Sequence, residues 1–482
     1  MNYKLILRTL GLTLLLEAAC LFIPMLVSFF YRENPVPFAI TILLLLAIGF
    51  PMVLLKTNSQ FFDQEGFVVV ALIWVLFCLF GALPFYFSGC FNSFIDCIFE
   101  VTSGFTTTGA SILTEVESLP HGILFWRSFS SWLGGMGVLI FTLAFLPKTG
   151  ERTHALVRAE SPGPVTSKLV PQTAKSSKIL YTIYIILTLA EILCLCLAGM
   201  PVFDSILHSF ATICTGGFST RNLSIGAYGS PAIEIIVTIF MLLSALNFAM
   251  YFLLITRRFV SILKSDELRA FWLIVLGAIA LIMANIISTS GMVNGSFGDT
   301  LRQVCFQVAS IITTTGFATA DFNLWPQFSH IILLLLMVVG GCAGSTAGGI
   351  KVSRALLLSR CIQRDLRKIS HPRAVKVVKL DGNAVDEGTL ARVFSFFTCY
   401  AFIVSLSILI LSLDDFSFQT TVSAVFACIG NIGPGLDMVG PMGNFSAFSG
   451  LSKLLLSLCM LIGRLEIFPV IILFTPSTWK RF

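Results

Sequence analysis

The chain has 482 residues, of which 56% are hydrophobic and only 12% charged, about half the charged share of an average soluble domain. Apolar runs of about 18 residues or more recur from one end to the other, which excludes a soluble protein or a soluble domain on a single anchor. The net charge of +6 sits in short loops, so it reports membrane topology or a cytosolic partner and not nucleic acid.

The first apolar run, Leu10–Phe30, follows Lys4 and Arg8 and imitates a signal peptide. It is too long for a signal core and ends at Arg32-Glu33 without a small-residue cleavage site, so it reads as a retained span. Ten full spans are expected, at 10–30, 36–55, 65–87, 122–146, 177–200, 232–255, 270–290, 329–362, 393–413 and 449–475. The first two stand apart. The other eight form four pairs, enclosing short apolar segments near 92–104, 203–213, 298–312 and 417–429. As helices these short segments reach ~15–22 Å, less than the ~30 Å hydrocarbon core, so they should enter and return as half-helices. The units are an N-terminal pair (1–60), repeat 1 (61–147), a basic linker (148–178), repeat 2 (177–256), repeat 3 (265–362), a second basic linker (363–390) and repeat 4 (391–482).

Charge sets the orientation. Lys148, Arg152, Arg158, Lys168, Lys175 and Lys178 follow the first repeat, and Arg257, Arg258, Lys264 and Arg269 the second. Lys351, Arg354, Arg360, Arg364, Arg367, Lys368, Arg373, Lys376 and Lys379 follow the third, and Lys480 and Arg481 close the chain. All belong on the cytoplasmic side, with both termini, and ten spans alternate without conflict. The opposite loops carry Glu115, Glu117, Asp321 and Asp437, with Arg221 the exception.

Each half-helix runs into a glycine turn: Thr107-Thr108-Gly109, Thr215-Gly216-Gly217, Thr314-Thr315-Gly316 and Asn431-Ile432-Gly433, the glycines 108, 99 and 117 residues apart. A cation entering the membrane replaces its water shell with oxygen dipoles, and backbone carbonyls supply them without titrating. Glycine lets the chain take φ > 0 and turn its carbonyls toward one axis. Four half-helices aiming their partially negative ends at that axis favour a cation. Helix packing through small residues is the competing reading for any one cluster, and four clusters at matched positions disfavour it. Asp96 and Asp204, each 13 residues before its glycine, complement a helix N-terminus.

The four turns, with Leu133-Gly134-Gly135-Met136-Gly137, the stretch 208–220, the stretch 340–351 and Gly463-Arg464-Leu465-Glu466, resemble the Trk/Ktr/HKT superfamily of potassium transporters over nearly the whole chain. Within it they are most similar to the bacterial TrkH/TrkG membrane subunits, which share the extra N-terminal pair. The resemblance implies an all-α polytopic membrane protein with four pseudo-symmetric repeats around one central pore. It implies potassium uptake across the bacterial inner membrane, a homodimer with one pore per subunit, and regulation by a cytosolic nucleotide-binding ring of the TrkA type. Potassium bound by the turn residues is the only ion or cofactor it requires. In plant relatives a serine at the first glycine accompanies sodium transport, and glycine at all four positions here favours potassium. A sodium- or ammonium-permeable relative, or a cation–proton symporter, stays open.

The span from 329 is interrupted by Gly340, Gly341, Gly344, Ser345, Thr346, Gly348 and Gly349. Irregular backbone at such depth lines a cavity or lies buried in protein. A flexible plug under the third turn is the expected reading, matching the intramembrane gating loop of the resembled family, and a passive packing kink is the alternative. The same stretch lacks the GxxxxGK[ST] spacing of a phosphate loop. Arg464 lies well past the middle of the last span, so it must face protein or water. It is expected to hold the plug through carbonyl hydrogen bonds or to repel a waiting cation, with a salt bridge to Glu466 or interfacial anchoring as alternatives. Lys453 and Arg127 read as snorkelling side chains. The 13 cysteines are odd in number and form no CxxC pair, and the five histidines are scattered, so a disulfide framework, a zinc site and an enzyme are all disfavoured.

Overall fold

The computed structural model describes residues 2–56, 63–137, 173–289, 291–292, 295–371 and 377–479. The basic linker residues Lys148, Arg152, Arg158 and Lys168, together with Arg373, Lys376, Lys480 and Arg481, lie outside the described residues. Helices α1 (Tyr3–Phe30) and α2 (Val36–Val53) form a hairpin. Small residues let the two helices approach: a Cβ on Gly11 would lie 2.9 Å from the Gly49 carbonyl oxygen.

After the hairpin, one order of elements recurs four times. A long helix comes first: α3 and α4 (Asp63–Gly81, Leu83–Ser88), α7 (Thr173–Leu197), α12 (Asp266–Thr289) and α16 (Glu387–Leu411). A half-helix follows: α5 (Phe94–Phe105), α8 (Val202–Ile213), α13 (Phe297–Ile312) and α17 (Phe418–Ile429). Hydroxyls of Ser93, Ser296 and Ser417 cap three of these N-termini by accepting from backbone N–H groups of the first turn. The half-helices begin and end within about two residues of the expected segments, because cap and glycine turn both mark them in the sequence.

The second helix of each repeat departs from expectation. Among the described residues, six helices are long and apolar enough to cross a membrane: α1, α2, the α3–α4 pair and the first helices of the other three repeats. Every second helix stops short of its expected end, and not only the one holding the glycine-rich loop. Helix α6 (His121–Gly135) stops at Met136, and 138–146 lie outside the described residues. The expected span 232–255 is two helices, α9 (Pro231–Ser244) and α10 (Phe248–Ile255), bent by 92°. Helix α14 (Gln327–Val339) enters the loop and α15 (Val352–Ser370) leaves it. The expected span 449–475 breaks between α18 (Gly450–Arg464) and α19 (Phe468–Phe474), where Glu466 and Ile467 both take positive φ.

Connecting residues add three short pieces: α11 (Phe259–Leu263), a two-stranded hairpin of β1 (Lys379–Leu380) and β2 (Asn383–Ala384), and α20 (Pro476–Trp479). Buried apolar clusters join neighbouring repeats in rotation. Trp126 and Phe105 of the first lie in one core with Leu456 and Met460 of the fourth, and Met136 of the first lies with Cys214 of the second. Met241 of the second lies with Phe306 of the third, and Met337 of the third with Ile432 of the fourth. In the first and fourth repeats glycine lets the second helix lie against the end of a half-helix: a Cβ on Gly134 would sit 1.8 Å from the Phe105 oxygen, and one on Gly463 2.1 Å from that of Ile429.

Candidate ion filter and loop

The four half-helices end in the same way. Thr106, Cys214, Thr313 and Gly430 keep helical angles, and the next residue, Thr107, Thr215, Thr314 or Asn431, swings to φ between 53° and 58°. The N–H groups of Thr108, Gly216, Thr315 and Ile432 then reach back to the carbonyls of Ser103, Ala211, Ser310 and Ala427 at 2.7–2.9 Å. This is the Schellman closure of a helix end, normally built on glycine. Three of the left-handed residues here are β-branched threonines, a conformation that costs on the order of 1–3 kcal/mol each and persists only where the surroundings impose it.

Two residues later the glycines return to positive φ: 79° at Gly109, 67° at Gly217, 83° at Gly316 and 99° at Gly433. They stand against one another in a closed ring. A Cβ on Gly109 would lie 2.3 Å from the Gly216 oxygen, and one on Gly217 1.9 Å from that of Thr315. A Cβ on Gly316 would lie 2.0 Å from the Ile432 oxygen, and one on Gly433 2.8 Å from that of Thr108. Each repeat thus abuts the next, and the fourth abuts the first. Within the first and third turns hydroxyls pair: those of Thr106 and Thr108 are 2.7 Å apart, and those of Thr313 and Thr315 2.8 Å. Asn431, which replaces threonine in the fourth turn, donates to Thr108 Oγ1 at 3.0 Å and to the Met460 carbonyl at 2.9 Å, bridging the fourth turn to the first.

The glycine-rich loop lies directly against this ring. Its neck is pinched, since a Cβ on Gly349 would be 2.8 Å from Gly340 Cα. Gly348 N–H donates to Thr314 Oγ1 at 2.6 Å, and a Cβ on Gly348 would be 2.2 Å from the Gly430 oxygen. Thr346 Oγ1 donates to the carbonyls of Ile213 at 3.1 Å and Ser244 at 3.2 Å, while Ser345 Oγ bonds within the loop to the Cys342 carbonyl. Cys342 N–H donates to the Ala245 carbonyl and Phe248 N–H to the Gly344 carbonyl, both at 3.0 Å, so the loop satisfies the backbone groups freed by the break between α9 and α10. Gly341 accepts from Val352 N–H, closing the loop onto α15.

Arg464 joins the loop to the first repeat. Its guanidinium donates to the Thr346 carbonyl at 2.9 Å, the Gly134 carbonyl at 2.6 Å, the Gly135 carbonyl, and Thr107 Oγ1 at 3.3 Å. Through Thr107, Ile213, Thr314 and Gly430 the loop and its arginine touch the base of every turn. Glu466 pairs with Arg354, whose guanidinium also lies over the Phe396 ring.

Two basic residues differ from the snorkelling expected of them. Lys453 is buried and pairs with Asp96 at 2.7 Å, joining α18 to the first turn of α5. Arg127 is buried and pairs with Glu100 at 2.7 Å. Both partners are acids far away in sequence, so a lone cation in an apolar run gave no hint of them. Glu267 was equally hidden: buried in the first turn of α12, it accepts from the N–H groups of Ala343 at 2.7 Å and Ser353 at 3.2 Å, one in the loop and one just beyond it. On the acidic-loop face, Asp437 accepts from the hydroxyls of Ser417 and Thr420, and these bonds hold its carboxyl below the usual range, so it stays ionised beside the fourth turn. No cluster of three or more His, Cys, Asp or Glu suited to a metal ion occurs among the described residues.

The TrkH family profile, described as a cation transport protein, matches residues 36–481. The Trk system potassium uptake protein TrkH of Escherichia coli K12 is 41% identical, with all of both chains covered. The Trk system potassium uptake protein TrkG of the same strain is 37% identical over 95% of this chain and 94% of its own. The crystal structure of the potassium transporter TrkH from Vibrio parahaemolyticus is 36% identical and superposes with a TM-score of 0.89, covering all of both chains. With its repeated half-helices, its ring of glycines and this full-length likeness, the chain belongs to the TrkH family of cation transport proteins, multi-pass proteins of bacterial membranes.

Proposed function

We propose that this chain carries potassium ions inward across the bacterial inner membrane, through a filter formed by the four glycine turns and gated by the loop 340–351. The closed ring of glycines against neighbouring carbonyls carries this reading. Two positive-φ residues in each turn redirect successive carbonyls. Four half-helix C-termini converge on the same place and favour a cation. Four pseudo-symmetric repeats then enclose one pore, with the N-terminal pair outside it. The basic ends face the cytoplasm with both termini, as the distribution of lysine and arginine requires.

Uptake into proteoliposomes, with potassium, rubidium, sodium and ammonium offered in turn, tests the reading. Potassium and rubidium are expected to enter down an imposed gradient faster than sodium or ammonium. Entry of sodium or ammonium at the rate of potassium would replace the potassium assignment with that of a less selective relative.

The protein works as a homodimer under a cytosolic nucleotide-binding ring of the TrkA type that docks on its basic loops. Part of the third basic stretch is already neutralised within the chain. Arg354 pairs with Glu466, Arg360 with Asp266, and Arg364 with Asp365 and Glu387. Among the described residues of this stretch, exposed Arg367, Lys368 and Lys379 are therefore the ones left for an acidic partner. Reversing all three to glutamate is expected to weaken co-purification with the ring protein several-fold. Undiminished co-purification would leave their charge to topology and anionic lipid alone.

A further inference from the structure

Nine residues before the ring glycine, the first three half-helices carry Glu100, His208 and Gln307, all fully buried. Each reaches forward to the strand that leaves its own turn. Glu100 accepts from Ser111 Oγ at 2.9 Å and from Ile112 N–H at 3.0 Å. His208 Nε2 is 2.9 Å from Ser219 Oγ, and Ser219 holds the same place after Gly217 as Ser111 after Gly109. His208 Nδ1 lies 2.8 Å from the Asp204 carbonyl, which can only accept, so in the neutral ring Nε2 accepts from the serine hydroxyl. Gln307 Nε2 donates to the Ala320 carbonyl at 3.3 Å. The fourth repeat has Ala424 at this offset, and the preceding Ser423 takes over, its Oγ accepting from Leu436 N–H at 2.9 Å.

The first of these contacts also crosses to the next repeat. Arg127 Nε donates to Glu100 at 2.7 Å, and its Nη1 donates to the Ser219 carbonyl at 2.9 Å. Its guanidinium carbon stands 3.6 Å from the centroid of the Phe218 ring. One buried ion pair therefore straps the strand leaving the first turn to the strand leaving the second. An apolar pair of similar volume is commonly as stable as a buried salt bridge, or more so, so stability alone does not account for burying charge here.

We propose that Glu100, strapped by Arg127, together with His208 and Gln307, are positioning residues that brace the first three turns from outside and fix the width of the ring, and so its preference for potassium over the smaller sodium ion. This rests on the transport reading above. Carbonyl filters discriminate through the spacing and stiffness of their oxygens, and these braces are among the side-chain contacts that restrain the strands between which that spacing is set.

The test is the ratio of potassium to sodium needed to inhibit rubidium uptake by the full-length chain in liposomes. It compares wild type, Glu100→Gln and Gln307→Leu, with folding monitored by size-exclusion chromatography. Glu100→Gln keeps the size and one acceptor but loses the charge that holds Arg127. It should lower potassium preference about tenfold, the ratio given by ~1.4 kcal/mol of lost discrimination. Gln307→Leu removes a single neutral hydrogen bond and should lower the preference less. Variants that elute as wild type and keep its ratio overturn the proposal, as does a fall in folded yield with the ratio unchanged. If Glu100→Gln does not fold, Gln307→Leu decides alone. A wild-type chain that carries none of these ions overturns the transport reading and the brace role with it, whereas a selective wild type beside equally selective variants overturns the brace role only.

Discussion

Arg464→Ala is expected to raise rubidium influx by about tenfold or more while leaving the order of ion preference unchanged. In the proposed gating role, the arginine holds the closed arrangement by donating to the Thr346 carbonyl in the loop and to the Gly134 and Gly135 carbonyls at the end of α6. Hydrogen bonds from a charged donor contribute roughly 1.5–3 kcal/mol each. Loss of even one such bond, specific to the closed state, shifts the open-to-closed ratio about tenfold or more, since ~1.4 kcal/mol is a factor of ten. Removing the guanidinium also removes a fixed positive charge from the proposed ion path, which acts in the same direction. The contacts among the four turns survive this change, apart from the 3.3 Å approach of the arginine to Thr107. Arg464→Lys keeps the charge but cannot bridge carbonyls of two repeats with a planar fork, so its influx should fall between the two. Shortening the loop within 340–349 should act like Arg464→Ala. A fall in influx for either change would mean that the loop supports the open pore and does not close it.

Much of this arrangement could be read from the sequence, and the unread parts share one cause. The half-helices were visible because local signals bound them on both sides: a serine cap in front of α5, α13 and α17, and a glycine turn behind each. The loop was visible from its five glycines among residues 340–349. The breaks at 245–247 and 465–467 were not: the first holds neither glycine nor proline inside an apolar run, and at the second Gly463, Arg464, Glu466 and Pro469 were in view but read as part of one span. What breaks the first is tertiary: the loop of the third repeat supplies partners to Ala245 and Phe248, so the helix does not need its own ladder there. At the second, Glu466 and Ile467 adopt left-handed backbone beside the Arg354 pair, a conformation their residue types do not announce. The buried pairs Arg127–Glu100 and Lys453–Asp96 were hidden in the same way, since a lone charge in an apolar run says that a partner exists and not where it is. One local signal was available and passed over: a polar residue at a constant offset before each of three glycines, on half-helices otherwise rich in apolar residues.

Alanine placed at the four ring glycines should act unequally, and the order is a sharper test of the filter than any single variant. Left-handed backbone costs a non-glycine residue roughly 1–2 kcal/mol wherever it occurs. All four glycines have positive φ, so that term alone does not favour three of them over the fourth; at 99°, Gly433 would if anything be the worst. The contact with the next repeat differs much more. The new methyl group would meet a backbone oxygen at 1.9 Å from Gly217 and 2.0 Å from Gly316, against 2.3 Å from Gly109 and 2.8 Å from Gly433. Backbone cannot step aside as a side-chain end can, so the first two substitutions must open the ring, whereas Gly433→Ala asks for a displacement of only a few tenths of an ångström. Gly217→Ala and Gly316→Ala should therefore abolish potassium preference or uptake altogether, Gly109→Ala should reduce preference by more than about tenfold, equivalent to ~1.4 kcal/mol, and Gly433→Ala should be mildest. Competition between potassium and sodium for rubidium uptake ranks them directly. If Gly433→Ala proved the most damaging, strain within each turn would outweigh contact between turns, and the width of the ring would not be what the ion senses. If all four variants kept wild-type preference, selection would have to occur elsewhere along the path.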